Sequence, residues 1–149
     1  MSGHEAIVSM LLERNDVNPD KPDKWCRTPL SRAGESGHEA VVRMLLERND
    51  VNPDKPGGDR QTPLTWASWS GREGVVRMLL ERNDVDPDKP DRHGRTILLC
   101  ASGRGHEGVV RILLERNDVD PNRRDLFGLT PRLWASLRGH EGVVRMLLE

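Results

Sequence analysis

The 149-residue chain is short of several things that common folds and chemistries depend on. It holds two cysteines, one phenylalanine, no tyrosine and almost no net charge, at −1 from 23 basic and 24 acidic residues. Cys26 and Cys100 are too few and too differently placed for a disulfide framework, so a reducing, cytoplasmic setting is expected. Near-neutrality removes the global field that would gather nucleic acid or an anionic membrane surface. There is no apolar run of the roughly 18 residues a membrane span needs, and no signal-peptide pattern. With 35% hydrophobic residues and a mean hydropathy of −0.67, a single compact core would be thin.

What the chain has in quantity is itself. GHEAIVSMLLERND at Gly3 returns as GHEAVVRMLLERND at Gly37, GREGVVRMLLERND at Gly71, GHEGVVRILLERND at Gly105 and GHEGVVRMLLE at Gly139, always 34 residues on. A fixed period of this size marks a solenoid, in which each unit buries its apolar face only against its neighbours. That architecture tolerates the low apolar fraction.

Within one unit, Val41, Val42, Met44, Leu45 and Leu46 fall at helical spacing with Glu39, Arg43, Glu47 and Arg48 between them, which predicts an amphipathic helix. Asn49, like Asn15, Asn83 and Asn117, stands where a left-handed C-terminal cap is expected. The stretch from Asp50 to Pro56 is rich in turn formers and proline and should form an extended or hairpin-like finger. Thr62-Pro63 then places a capping hydroxyl before a first-turn proline and starts a second, shorter helix that runs to Ser70. Gly71 supplies the left-handed turn into the next long helix.

Finger, short helix opening on Thr-Pro-Leu, glycine turn and long helix occur in an order that resembles the ankyrin repeat. The resemblance rests on TPLSRAGESGHEAVVRMLLE (Thr28 to Glu47), TPLTWASWSGREGVVRMLLE (Thr62 to Glu81), TILLCASGRGHEGVVRILLE (Thr96 to Glu115) and TPRLWASLRGHEGVVRMLLE (Thr130 to Glu149). It implies an all-α solenoid of about four and a half repeats over 1–149. A long-helix half repeat spans 3–20, repeats follow at 21–54, 55–88 and 89–122, and a last repeat without a final cap occupies 123–149. The raw ends suggest an excerpt of a longer array and offer end-to-end self-association. Three departures from the family pattern stand out. The period exceeds the usual one of about 33. The family's His after Thr-Pro-Leu is replaced by Ser31, Thr65, Leu99 and Leu133, which puts its bond to the capping Thr in question. Arg132 replaces a core leucine, so its stem should lead to solvent while Leu133 helps fill the gap.

Little here suggests chemistry. The fingers carry Asp-x-[Asp/Asn]-x-[Asp/Asn], as at Asp50, Asn52 and Asp54, the opening of a calcium loop. They lack the Gly at the sixth and Glu at the twelfth position that an EF-hand needs, so turn-capping is preferred over calcium binding. His38-Glu39 has no second His four residues on, as a zinc helix requires. His4, His38, His106 and His140 instead match the family's structural Gly-His pair. Trp66 and Trp134 are expected to be partly buried, and Met44, Met78, Ile112 and Met146 to pack in the core. No catalytic residues, cofactor or metal are expected, and the chain is read as a non-enzyme.

The copies also form an alignment of the protein with itself. Of the first 18 positions of a block, 11 are identical in all four, whereas of the last 16 only the Thr28 and Ala33 positions are. Three positions carry four different residues: Lys24/Gly58/Arg92/Leu126, Trp25/Asp59/His93/Phe127 and Glu35/Trp69/Gly103/Leu137. The resemblance places them on the finger tips and the concave face, where ankyrin repeats hold partners. A protein or peptide ligand is therefore expected, with Trp69 and Phe127 as anchors, and neither nucleic acid nor membrane. The near-identical units are also similar to the C-terminal arrays of fungal NOD-like receptors, which implies a sensor region. A self-assembling solenoid and a calcium-binding repeat are the alternatives.

Overall fold

A computed structural model describes residues 3–149, and its described residues form helices and turns without strands. The long helices are α1 (Gly3–Leu12), α3 (Glu39–Leu46), α5 (Glu73–Leu80), α7 (Glu107–Leu114) and α9 (Glu141–Leu148). The short ones are α2 (Pro29–Ser36), α4 (Pro63–Trp69), α6 (Ile97–Arg104) and α8 (Pro131–Leu137). Short helices pack on short helices in sequence, long on long, and each short helix packs on the long helix that follows it. The result is the two-layered all-helical solenoid that the period implies.

Local chemistry starts each short helix as the sequence predicts. Thr28, Thr62, Thr96 and Thr130 sit in extended backbone, and each hydroxyl accepts the amide three residues on, at 3.1 to 3.4 Å. Such a cap contributes about 1 kcal/mol. Where the family's His is missing, two blocks substitute a second hydroxyl. Ser31 lies 3.1 Å from the Thr28 hydroxyl, and Thr65 completes a reciprocal capping box with Thr62. Leu99 and Leu133 offer only their amides. At the other end, Gly37, Gly71, Gly105 and Gly139 all have φ near +70°, as the left-handed turn demands.

The core is one continuous cluster threaded through the stack. Leu30, Leu64 and Leu98 from the short helices and Val42, Val76, Val110, Leu45, Leu79 and Leu113 from the long ones are buried. Met78 and Met146 pack against the cluster and Ile112 lies within it, in keeping with a packing role.

Two local expectations are corrected. None of Asn15, Asn49, Asn83 and Asn117 adopts a left-handed conformation; the long helices end in right-handed geometry, as at Glu47 and Glu81. Their orphan carbonyls are capped from the next block. Arg48 donates to the Leu12 carbonyl, and Arg82 and Arg116 donate to Leu46 and Leu80 at 3.1 Å. Each of these guanidiniums is also gripped by the aspartate two residues on: Arg48 by Asp50, Arg82 by Asp84, Arg116 by Asp118. A cation on the last carbonyls of a helix satisfies acceptors and opposes the dipole. The second correction concerns Leu133, which is 43% exposed and fills no gap. Arg132 beside it does reach solvent. α8 has a short-helix neighbour on one side only, α6, so the face that Leu64 and Leu98 bury in their blocks is left uncovered there.

Candidate recognition surface

Three of the four fingers end in a tight turn built around one acidic side chain. Asp23 Oδ1 accepts the amides of Trp25 and Arg27, Asp91 Oδ1 those of His93 and Arg95, and Asp125 Oδ1 those of Phe127 and Leu129, all at 2.8 to 3.0 Å. Asp91 and Asp125 are buried. The second block has Gly57 instead, where a Cβ would come 2.7 Å from the Cys26 carbonyl. The turn needs a positive φ three residues later, met by Gly94 and Gly128 but also by Cys26 (φ 60°) and Arg60 (φ 61°). Nothing in the sequence pattern marks this position as a turn except its residue type. Glycine in two of the four copies was the available signal.

The turn lifts the hypervariable pairs to the tip and brings them into one row. Adjacent tips are stitched by main-chain bonds, Arg92 N to the Asp59 carbonyl and Leu126 N to the His93 carbonyl, both 3.0 Å. Lys24, Trp25, Gly58, Asp59, Arg92, Leu126 and Phe127 are exposed, and His93 is half-buried. Asp59 and Arg92 partly cancel, with a 2.7 Å ion pair between blocks. Phe127, at 73% exposure, and Leu126 beside it form an apolar tip at the C-terminal end of the row.

The third hypervariable position forms a parallel row along the short helices, and there the four residues behave differently. Glu35 is half-buried and pairs with Arg27 at 3.2 Å. Trp69 is half-buried beneath Arg104, whose guanidinium lies 4.2 Å from the ring centroid, with Arg95 at 5.5 Å. Gly103 is buried, its α-carbon facing Trp134. Leu137 is exposed. Arg27 and Arg95 join the two rows. Arg27 lies over both Trp25 and Trp66, while Arg95 holds Asp91 at 2.8 Å and covers Trp69. Trp66 and Trp134 are partly buried as expected, and the Trp134 indole donates to Asp125 at 2.8 Å, tying short helix to finger.

Two of the repeated histidines brace the short-helix row. His106 Nε2 lies 2.9 Å from the Trp69 carbonyl and His140 Nε2 3.1 Å from that of Gly103; Arg72 plays the same part toward Glu35 at 3.0 Å. Hypervariable side chains are thus hung on carbonyls held by framework residues.

The aspartates of the finger base have other duties than a calcium loop. Asn18, Asn52, Asp86 and Asp120 each accept the amide two residues on. Asp54 and Asp88 pair with Lys89 and Arg123 of the following block, and Asp20 accepts the Asn52 amide. Burial pushes Asp88 above the ordinary carboxylate range, against the pull of Arg123. Among the described residues, no three His, Cys, Asp or Glu side chains gather in a way that could hold a metal ion. Cys26 and Cys100 are both free; burial pushes the Cys100 thiol up to about 12.

Stacked helix pairs with a standardised joint between successive blocks define a helical repeat solenoid. The chain belongs to the ankyrin repeat family: the family model for ankyrin repeats (3 copies) matches residues 1–91 and 83–149. Ankyrin repeats generally mediate protein–protein interaction. Comparison with curated proteins gives no significant match. No helix among the described residues is long and apolar enough to cross a membrane.

Proposed function

We propose that this chain is a recognition module that holds a protein or peptide ligand across its finger tips and short-helix face. One observation carries the reading. The invariant residues include those that make the joints, such as Arg82 with Asp84, whereas the residues that differ in all four copies lie in two adjoining rows on one surface. Drift alone would scatter differences over the exposed long-helix positions as well. The test is a pull-down comparing the native chain with one in which all twelve hypervariable residues are alanine. Retention of the same partners by the variant would end the proposal.

The finer reading places the module in the sensor region of a larger receptor of the NOD-like type, in a reducing, cytoplasmic setting. It rests on the similarity of the repeat units and on two free thiols. A second reading, end-to-end self-assembly, has its own observation. A groove of about 860 Å³, lined by Val8, Leu11, Leu12, Pro29 and Ala33, opens beside α1, and Leu133 and Leu148 are exposed at the opposite end of the stack. Light scattering over a wide concentration range tests it, and a mass that stays monomeric rejects it.

A further inference from the structure

The second half of the short-helix face differs from the first in what stands just before the turn glycine: Ser36 and Ser70 in the first two blocks, Arg104 and Arg138 in the last two. Both arginines lie over tryptophans, Arg104 at 4.2 Å from Trp69 and Arg138 at 5.3 Å from Trp134. Neither meets a carboxylate within 4 Å among the described residues, unlike Arg27 with Glu35 in the first half. Stacking removes much of the freedom of a guanidinium without using its donors, so its fork stays presented to a carboxylate. Between the two ring-and-cation pairs lies a recess of about 40 Å³ floored by Leu99 and Cys100. It exists because block three has glycine at position 103, where its neighbours carry Trp69 and Leu137. A recess of that size takes a small aliphatic group.

We infer that this groove binds an extended acidic peptide segment, its carboxylates on Arg104 and Arg138 and an aliphatic side chain seated over Gly103. The inference rests on the recognition reading above and names its ligand class. Charge distribution favours a short acidic segment over a nucleic-acid strand. The finger tips and short helices of the last two blocks, 91–104 and 125–138, carry five basic and two acidic residues, and Asp91 and Asp125 are both spent inside their turns. The matching segments of the first two blocks, 23–36 and 57–70, carry four basic and three acidic residues. A long polyanion following the groove would run onto Glu35 and Asp59.

Fluorescence anisotropy with the whole chain tests this, using a labelled peptide of alternating Glu and Leu, the same peptide with Gln for Glu, and an oligothymidylate. The Glu peptide should bind roughly tenfold more tightly than the Gln peptide, the scale of a hydrogen bond to a charged group, and added salt should erode that margin. Arg104→Gln with Arg138→Gln should abolish the preference without lowering Tm. Gly103→Leu should weaken both peptides by filling the recess, also with Tm maintained. Absence of Glu-peptide binding, equal affinity for the Gln peptide, an undiminished preference in the arginine double variant, or tighter binding of the oligothymidylate would each overturn the inference. The recognition reading fails separately, through the alanine chain retaining its partners. A partner lost by that chain while the peptides show no preference would leave the module intact and remove only the acidic ligand.

Discussion

Arg82 and Arg104 use the same guanidinium for opposite ends. Arg82, on the long-helix side, is bound twice, to its own Asp84 and to the Leu46 carbonyl of the preceding block. Arg104, on the short-helix side, rests on the Trp69 ring and leaves its donors to whatever approaches. The first type is identical in every copy; the second appears in only half of them. Residue type therefore says little about role in this molecule. Whether a side chain is spent on the main chain of a neighbour says much more.

The sharpest way to break that division is to compare the two glycines on either side of Arg104. Gly105 has φ +76°, and a Cβ there would sit 2.5 Å from the His140 ring. Gly103 is helical, and its Cβ would make an ordinary 3.5 Å contact with Trp134. Gly105→Ala should cost about 1–3 kcal/mol, whereas Gly103→Ala should be neutral or stabilising by up to about 1 kcal/mol through helix propensity. Urea unfolding of both variants decides it, and equal costs would erase the distinction between framework and display.

Next in size is the pair of arginines. Arg82→Ala removes the inter-block cap and should lose about 1–2 kcal/mol; Arg104→Ala should stay within about 0.5 kcal/mol. Thermal melts of the two variants measure this directly. A destabilised Arg104→Ala would mean that the stacked guanidinium holds the fold together rather than facing a ligand.

Acid sharpens the same contrast on the other partner of the joint. Hydrogen bonds from Arg48, Arg82 and Arg116 hold Asp50, Asp84 and Asp118 below the usual carboxylate range. A carboxyl whose folded pKa is depressed stabilises the fold above its unfolded value, and that stabilisation fades as pH falls through the folded one. Tm should therefore drop on acidification below about pH 4, and Asp84→Asn should flatten the drop. Asp88, raised by burial, works in the opposite direction, gaining on acidification, but it is outnumbered. A Tm indifferent to acid would show that the joints contribute nothing.

The smallest effect belongs to the finger tip. Cys26→Gly places glycine where φ is 60°, as Gly94 and Gly128 already are in their blocks. A gain below about 1 kcal/mol is expected, read as a shift in the denaturation midpoint. A loss would show that the Cys26 side chain supports the tip in some way beyond its backbone.

Much of this was legible because helix starts and glycine turns are local. Thr62 before Pro63, and Gly71 after the short helix, announce themselves within a few residues. The misreading of Asn49 has the opposite cause. The cap of the long helix comes from an arginine in the next block, 36 residues away from the carbonyl it satisfies, and no local pattern shows such a partner. Only the invariance of Arg48, Arg82 and Arg116 hinted that they were framework. Leu133 was misjudged because helical register fixes which way a residue points but not whether another helix lies there. On the candidate surface, position 103 was legible only through its variability. The recess made by that missing side chain, and the rings on either side of it, become visible only once α4, α6 and α8 are laid side by side.

The long-helix joint has one more implication, for ancestry rather than stability. Arg82 grips an aspartate of its own block and a carbonyl of its neighbour, and a carbonyl is the same whatever residue carries it. At this joint any block can thus follow any other without a mismatch. Duplication, deletion or reordering of whole units would leave this joint intact, and with each shuffle the order of tip residues would change.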